Sequence, residues 1–133
     1  MNNKETCCLG KLLKVIDILQ KNASNNDCFD SSCTRPYLGV TPNIVCFNTR
    51  PVTFYTCNGT SFSANYTIDG VTNQSNVFRI EDVNNCCVKC RILRPNDTGE
   101  EDRLYLKTNE YVTINLNCIC AVSCLNDIII DNL

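Results

Sequence analysis

The chain has no histidine, no tryptophan and a single methionine, and only five glycines and four prolines are spread through its 133 residues. Without histidine there is no ordinary general base near neutral pH, no Ser–His or Cys–His dyad and no mixed Cys/His zinc site. Most hydrolytic chemistry is excluded with it, and the sequence points to no catalytic residue and no cofactor. Charge is equally sparse as a signal. The formal net charge is −2 with a pI near 5.0, and the basic residues are dispersed, so there is no electrostatic footprint for nucleic acid. No apolar run approaches the roughly 20 residues that cross a bilayer. Met1-Asn2-Asn3-Lys4-Glu5 leads into an amphipathic segment rather than the apolar region of a signal peptide. The expectation is synthesis in the cytosol without membrane insertion.

What is abundant is cysteine, with 12 residues, and asparagine, with 19. Cysteine at this density marks a disulfide scaffold, but such scaffolds are normally shorter than this chain. Of the 58 apolar residues 46 are not cysteine, so a conventional core can form without cross-links. Cytosolic proteins rarely keep disulfides. A chain made in a reducing compartment and cross-linked afterwards reconciles the two observations.

Leu9, Leu12, Leu13, Ile16 and Leu19 recur with helical period, opposite Gly10, Lys14, Asp17 and Lys21. Thr6 is placed to cap this helix, and the asparagines from Asn22 end it. Beyond Pro51 the period becomes 2, the mark of half-buried strands. Val52 and Phe54 alternate with polar residues, as do Phe62, Ala64, Tyr66 and Ile68, then Phe78 and Ile80, then Val88, Cys90 and Ile92. Asn58-Gly59, Asp69-Gly70, Asn84-Asn85 and Thr108-Asn109 read as turns, the first two because a type I′ hairpin needs positive φ. Pro95 to Asp102 reads as a polar loop. Val112, Ile114, Leu116, Cys118, Cys120, Val122 and Cys124 share one parity and predict a single long strand. The fold class is mainly β: an antiparallel β-sandwich of about six to eight short strands with one N-terminal amphipathic helix as an appendage. We expect one domain over 1–133, with a helical, Cys-rich arm at 1–35, the sandwich at 44–125 and an apolar tail at 126–133. That tail either extends the last strand or adds to a neighbouring subunit's sheet edge.

Parity also sorts the strand cysteines. Cys90, Cys118, Cys120 and Cys124 share the apolar side and are expected to face the core; Cys57 and Cys87 share the polar side and are open to partners. Cys46 and Cys86 are left unassigned. Residues i and i+2 of a strand have poorly directed Cβ vectors for a disulfide, so Cys118 and Cys120 are not expected to bond each other. A four-thiolate zinc site from Cys87, Cys90, Cys118 and Cys120 is the alternative, against which Cys87 and Cys90 differ in parity and lack the glycine turn of a zinc knuckle. A thioredoxin-like use of Cys87-x-x-Cys90 lacks the helix N-terminus that activates the first thiol. Asp97-Thr98-Gly99 matches an aspartic-protease triplet but follows Arg94-Pro95-Asn96 instead of an apolar strand. The five Asn-x-Ser/Thr triplets follow largely from the asparagine count.

Several segments together resemble one family. Cys8-Leu9-Gly10-Lys11-Leu12-Leu13-Lys14-Val15-Ile16-Asp17-Ile18-Leu19-Gln20, Cys33-Thr34-Arg35-Pro36-Tyr37-Leu38-Gly39, Asn48-Thr49-Arg50-Pro51, Phe78-Arg79-Ile80-Glu81 and above all Cys118-Ile119-Cys120-Ala121-Val122-Ser123-Cys124-Leu125 are similar to segments of the CotY/CotZ/ExsY family of cysteine-rich spore coat and exosporium proteins. The resemblance runs in order through most of the chain. It implies a structural protein, made in the mother cell cytoplasm without a signal peptide, that assembles with itself and with other coat or exosporium proteins into a two-dimensional, often hexagonal, lattice in the spore surface layers, locked by disulfides. On that reading Cys7, Cys8, Cys28, Cys33, Cys57 and Cys87 are the intersubunit candidates. The competing reading is a Cys-rich metal-binding or redox protein acting in solution.

Overall fold

The computed structural model describes residues 7–24, 47–96, 104–131 and 133. Thr6, Cys28, Cys33, Cys46 and the Asp97–Asp102 stretch therefore lie outside the described residues. Helix α1 spans Cys8–Ser24, and the first intrahelical bond runs from Lys11 N–H to the Cys7 carbonyl. The strands are β1 (Val52–Tyr55), β2 (Ala64–Ile68), β3 (Val71–Ser75), β4 (Val77–Asn84), β5 (Cys87–Pro95), β6 (Tyr105–Asn115) and β7 (Ala121–Cys124). Five of them form an antiparallel sheet in the order β6-β5-β4-β1-β7, and β2 and β3 form a separate hairpin. The protein is thus mainly β, with seven strands in antiparallel sheets and one N-terminal helix among the described residues.

The turns follow local chemistry. Asp69 and Gly70 both have positive φ, 53° and 80°, as a two-residue type I′ hairpin between β2 and β3 demands. Between β4 and β5, Asn84 pairs with Cys87, which makes Asn85 and Cys86 the turn residues; Asn85 takes the left-handed φ of 56°, which asparagine tolerates better than most residues. Gly59 also has positive φ, but the chain beyond it runs beside β1 only briefly, through the Tyr55–Ser61 bridge and the bond from Thr56 N–H to the Thr60 carbonyl. Phe62 returns once, its N–H on the Phe54 carbonyl at 2.8 Å, and the segment from Ala64 then pairs with β3 to cover the core.

Two expectations on the last third change. Thr108-Asn109 is not a turn: β6 runs through it, and Thr108 Oγ1 donates to the Ile92 carbonyl at 2.7 Å, beside the register irregularity between Arg91 and Leu93. Nor is 112–124 one strand. A 3₁₀ turn at Leu116–Cys118 interrupts it, with the Asn115 side chain accepting from Asn117 N–H. Within six residues the chain passes from Asn115 on one edge strand to Ala121 on the other, a reach of about 20 Å at most. Leu116 N–H donates to the Cys86 carbonyl at 2.8 Å and Cys120 N–H to the Tyr55 carbonyl at 2.9 Å, so this connection ties the β4–β5 turn to the end of β1.

The main core joins Val52, Phe54, Phe78, Ile80, Val88, Cys90, Ile92 and Ile114 of the sheet with Tyr66 of the hairpin and Leu13 and Ile16 of α1. Phe78 is centred between Phe54 and Phe62, with ring centroids at 5.7 and 5.8 Å. The helix is therefore a wall of the core rather than an appendage. It is also rotated from its expected face. Gly10, Leu13, Ile16, Asp17 and Gln20 are buried, while Leu12, Val15, Ile18 and Leu19 are 44–54% exposed. Polar anchoring sets this orientation: Gln20 Nε2 donates to the Ile80 carbonyl at 2.8 Å and Gln20 Oε1 accepts from Arg50 N–H at 2.9 Å. Gly10 permits the approach, since a Cβ there would lie 2.1 Å from the Asn85 carbonyl oxygen.

On the opposite side a smaller cluster of Val77, Leu93, Ile128 and Ile130 forms. The described tail residues Asp127, Ile128 and Ile130 dock on their own chain. Thr49 and Ile128 form a bridge, the Asn48 side-chain amide exchanges two 2.9 Å bonds with the Ile130 backbone, and Arg50 grips Asp127 through two nitrogens at 2.7 and 3.0 Å. Arg79, almost buried, donates to Thr49 Oγ1 and to Glu81. The Asn48-Thr49-Arg50 and Phe78-Arg79-Ile80-Glu81 segments thus meet and hold the tail.

Candidate functional site: a cysteine-rich pole

Among the nine described cysteines, six belong to three elements that pack together and a seventh is bonded to one of the six. Cys7 and Cys8 open α1, Cys86 and Cys87 occupy the β4–β5 turn, and Cys118 and Cys120 lie on the connection from β6 to β7, with Cys57 bonded to Cys120. Local sequence builds each part: the Asn84-Asn85 turn puts Cys86 and Cys87 at a hairpin tip, and Gly10 lets the helix start rest on that tip. A surface hollow of about 470 Å³ is lined by Cys7, Cys8, Asn85, Cys86, Leu116 and Asn117, among others. A second of about 340 Å³ opens beside it along Cys7, Lys11 and Lys14.

Two disulfides lie among the described residues. Cys7 pairs with Cys86 across 79 residues, with Cα atoms 5.6 Å apart, and Cys57 pairs with Cys120 across 63 residues, Cα atoms 4.9 Å apart. Both distances suit an unforced bridge. Cys7 and Cys57, expected to link subunits, are thus engaged within their own subunit. Of the other intersubunit candidates, Cys8 and Cys87 are free and exposed, and Cys28 and Cys33 lie outside the described residues. Cys86, unassigned from sequence, is the partner that holds the helix start; its turn position carried no periodicity to reveal this.

The expected core-facing set divides. Cys90 is fully buried on β5, and burial, reinforced by the negative charge of Glu81, pushes its thiol well above the usual range. It is a small apolar core residue and a poor nucleophile. Cys118, Cys120 and Cys124 are exposed, contrary to expectation. The 3₁₀ turn resets the alternation, so that Ile119 fills the core and its two neighbours point out. Cys124 lies opposite Val52, but on the short edge strand β7, where no further strand or helix among the described residues pairs with it.

The four-thiolate set of Cys87, Cys90, Cys118 and Cys120 does not converge. Cys87 and Cys90 lie on opposite faces of β5, one exposed and one buried, and Cys120 is bonded to Cys57. Among the described residues no three Cys, Asp or Glu side chains are grouped to hold a metal ion, and no helix is long and apolar enough to cross a membrane. Among the described residues four exposed free thiols remain, at Cys8, Cys87, Cys118 and Cys124. What this surface can do chemically is form further disulfides and exchange existing ones.

Compared with known proteins, residues 1–105 match a family model described as Spore coat protein Z. No curated protein and no solved structure matches the chain.

Proposed function

Since the chain belongs to the spore coat protein Z family, with a structural role in the spore surface layers, we propose that it is a non-catalytic shell subunit that assembles with copies of itself and other coat components into a disulfide-locked lattice. One observation carries the reading: exposed free thiols at Cys8, Cys87, Cys118 and Cys124 lie on a fold whose described core is packed and, among the described residues, already tied by two internal bonds. Thiols that stabilised only the monomer would be paired or buried. These are displayed. The stripe of Leu12, Val15 and Leu19 on α1, which leads to Cys8 at helical spacing, adds exposed apolar surface next to a reactive group. Cys8 and Cys87 are the foremost intersubunit residues, with Cys28 and Cys33 retained as candidates and Cys118 and Cys124 added.

Boiling in detergent with and without reductant tests this. A ladder of covalent oligomers that collapses only with reductant is expected, together with sheets in electron micrographs of the oxidised protein. Monomer in both lanes refutes it.

A further inference from the structure

Resting on that reading, we propose that the Cys7–Cys86 disulfide is the reactive donor from which intersubunit bonds form, by thiol–disulfide exchange rather than by fresh oxidation. Each half of this bond has a free, exposed cysteine as its chain neighbour, Cys8 beside Cys7 and Cys87 beside Cys86. The bond itself is half-buried and borders both surface hollows of the pole, so a thiolate can reach it. The Cys57–Cys120 bond has no such flanking pair of free thiols: Asn58 and Thr56 flank one side and Ile119 and Ala121 the other.

The partner is a second copy of this chain. When two β4–β5 turns meet about a two-fold axis, each copy's Cys87 faces the other's Cys86, the self-complementary arrangement that such an axis requires. The Cys87 thiol of one copy gives its proton to solvent, and the thiolate attacks Cys86 Sγ of the other. The Cys7–Cys86 S–S bond breaks, a Cys86–Cys87 bond forms between copies, and the electron pair leaves on Cys7 Sγ. That charge develops at the N-terminal end of a 17-residue helix with no acidic residue in its first turn, near Lys11 and Lys14, where a negative leaving group is stabilised. The released Cys7 thiolate takes up a proton or attacks a further disulfide. One disulfide is consumed and one formed, so no oxidant enters and the free-thiol count is constant. Each copy thereby carries its own cross-linking equivalent into the assembly.

The test uses the full chain with Cys7–Cys86 confirmed oxidised by peptide mapping, incubated without oxygen, trapped with N-ethylmaleimide and run on non-reducing gels with parallel thiol counting. Covalent oligomers at unchanged thiol count, containing an intermolecular Cys86–Cys87 peptide, are expected. Cys87→Ser, an exposed change that leaves the disulfide intact, and the Cys7→Ser/Cys86→Ser double variant should both lose anaerobic cross-linking and regain it with diamide. Wild-type oligomers that appear only as thiols are consumed overturn the exchange step, and so does anaerobic cross-linking of Cys87→Ser at the wild-type rate. If diamide fails to cross-link even the wild type, the lattice reading falls together with this one.

Discussion

Replacing Gly10 by alanine tests how the helix is built into the pole. In an exposed helix interior this change stabilises by about 0.5–1 kcal/mol, because glycine loses more backbone freedom on folding. Here the added Cβ would lie 2.1 Å from the Asn85 carbonyl oxygen and 3.3 Å from the Cys7 Cβ. The first of these is a backbone atom in a two-residue turn, so it cannot swing aside as a side chain can. Restoring ordinary contact requires α1 to withdraw by more than 1 Å from the β4–β5 turn, while Cys7–Cys86 holds the two together. Overpacking of this kind costs about 1–3 kcal/mol, which outweighs the helix gain. We expect Gly10→Ala to lower stability by about 1–2 kcal/mol, a fall in Tm of roughly 3–10 °C for a chain of this size. Lys14→Ala, exposed on the same helix, should be nearly neutral. The assay is urea and thermal unfolding followed by circular dichroism. A Gly10→Ala protein as stable as the parent, or more so, would refute the docking of the helix on the turn.

Three further outcomes follow from burial and charge. In native protein maleimide should label Cys8, Cys87, Cys118 and Cys124 rapidly and Cys90 only on unfolding; mass-mapped labelling of Cys90 at the same rate would mean that the core is open. Ile130→Ala should cost about 2–5 kcal/mol, because the side chain is almost fully buried against Val77 and Leu93, whereas Ile129→Ala, only part-buried, should cost less; equilibrium unfolding checks both. The hydrogen bond from Arg50, offset in part by burial, holds Asp127 below the ordinary carboxylate range. A group depressed in the folded state adds stability above its unfolded value of about 3.9, lost as pH falls through the folded value. The protection factors of the Ile128 and Ile130 amides, taken relative to intrinsic exchange at each pH, should therefore fall in acid below about pH 4 in the parent, and Asp127→Asn should abolish that dependence.

The strands were legible wherever a local rule operates. Alternation placed β1, β4 and β5, and Asp69-Gly70 marked its hairpin because few residue pairs accept two positive φ angles. The polar strand β3, with four of its five residues exposed, had no periodicity to betray it. Local turn chemistry misled at Thr108-Asn109, where a hydroxyl bond to a neighbouring strand overrides it. On α1 the apolar face seemed the obvious one to bury, yet Gln20 and Gly10 decide the orientation through bonds and clearance to residues 60 and 75 positions away. The same limit applied to the site. Parity placed Cys87 outward, but it ran through the 3₁₀ turn as though the strand were unbroken and so put Cys118 and Cys120 on the wrong side.

Composition and local periodicity determined that this is a histidine-free, cysteine-rich, mainly β chain whose apolar residues suffice for a core without cross-links. Those properties depend on residue type and nearest neighbours in sequence. Which cysteines are spent within the chain and which are displayed was decided by tertiary structure. A disulfide needs two Cα atoms within about 4.4–6.8 Å, and for Cys7 with Cys86 and Cys57 with Cys120 that meeting depends on how a helix docks and how β7 pairs with β1.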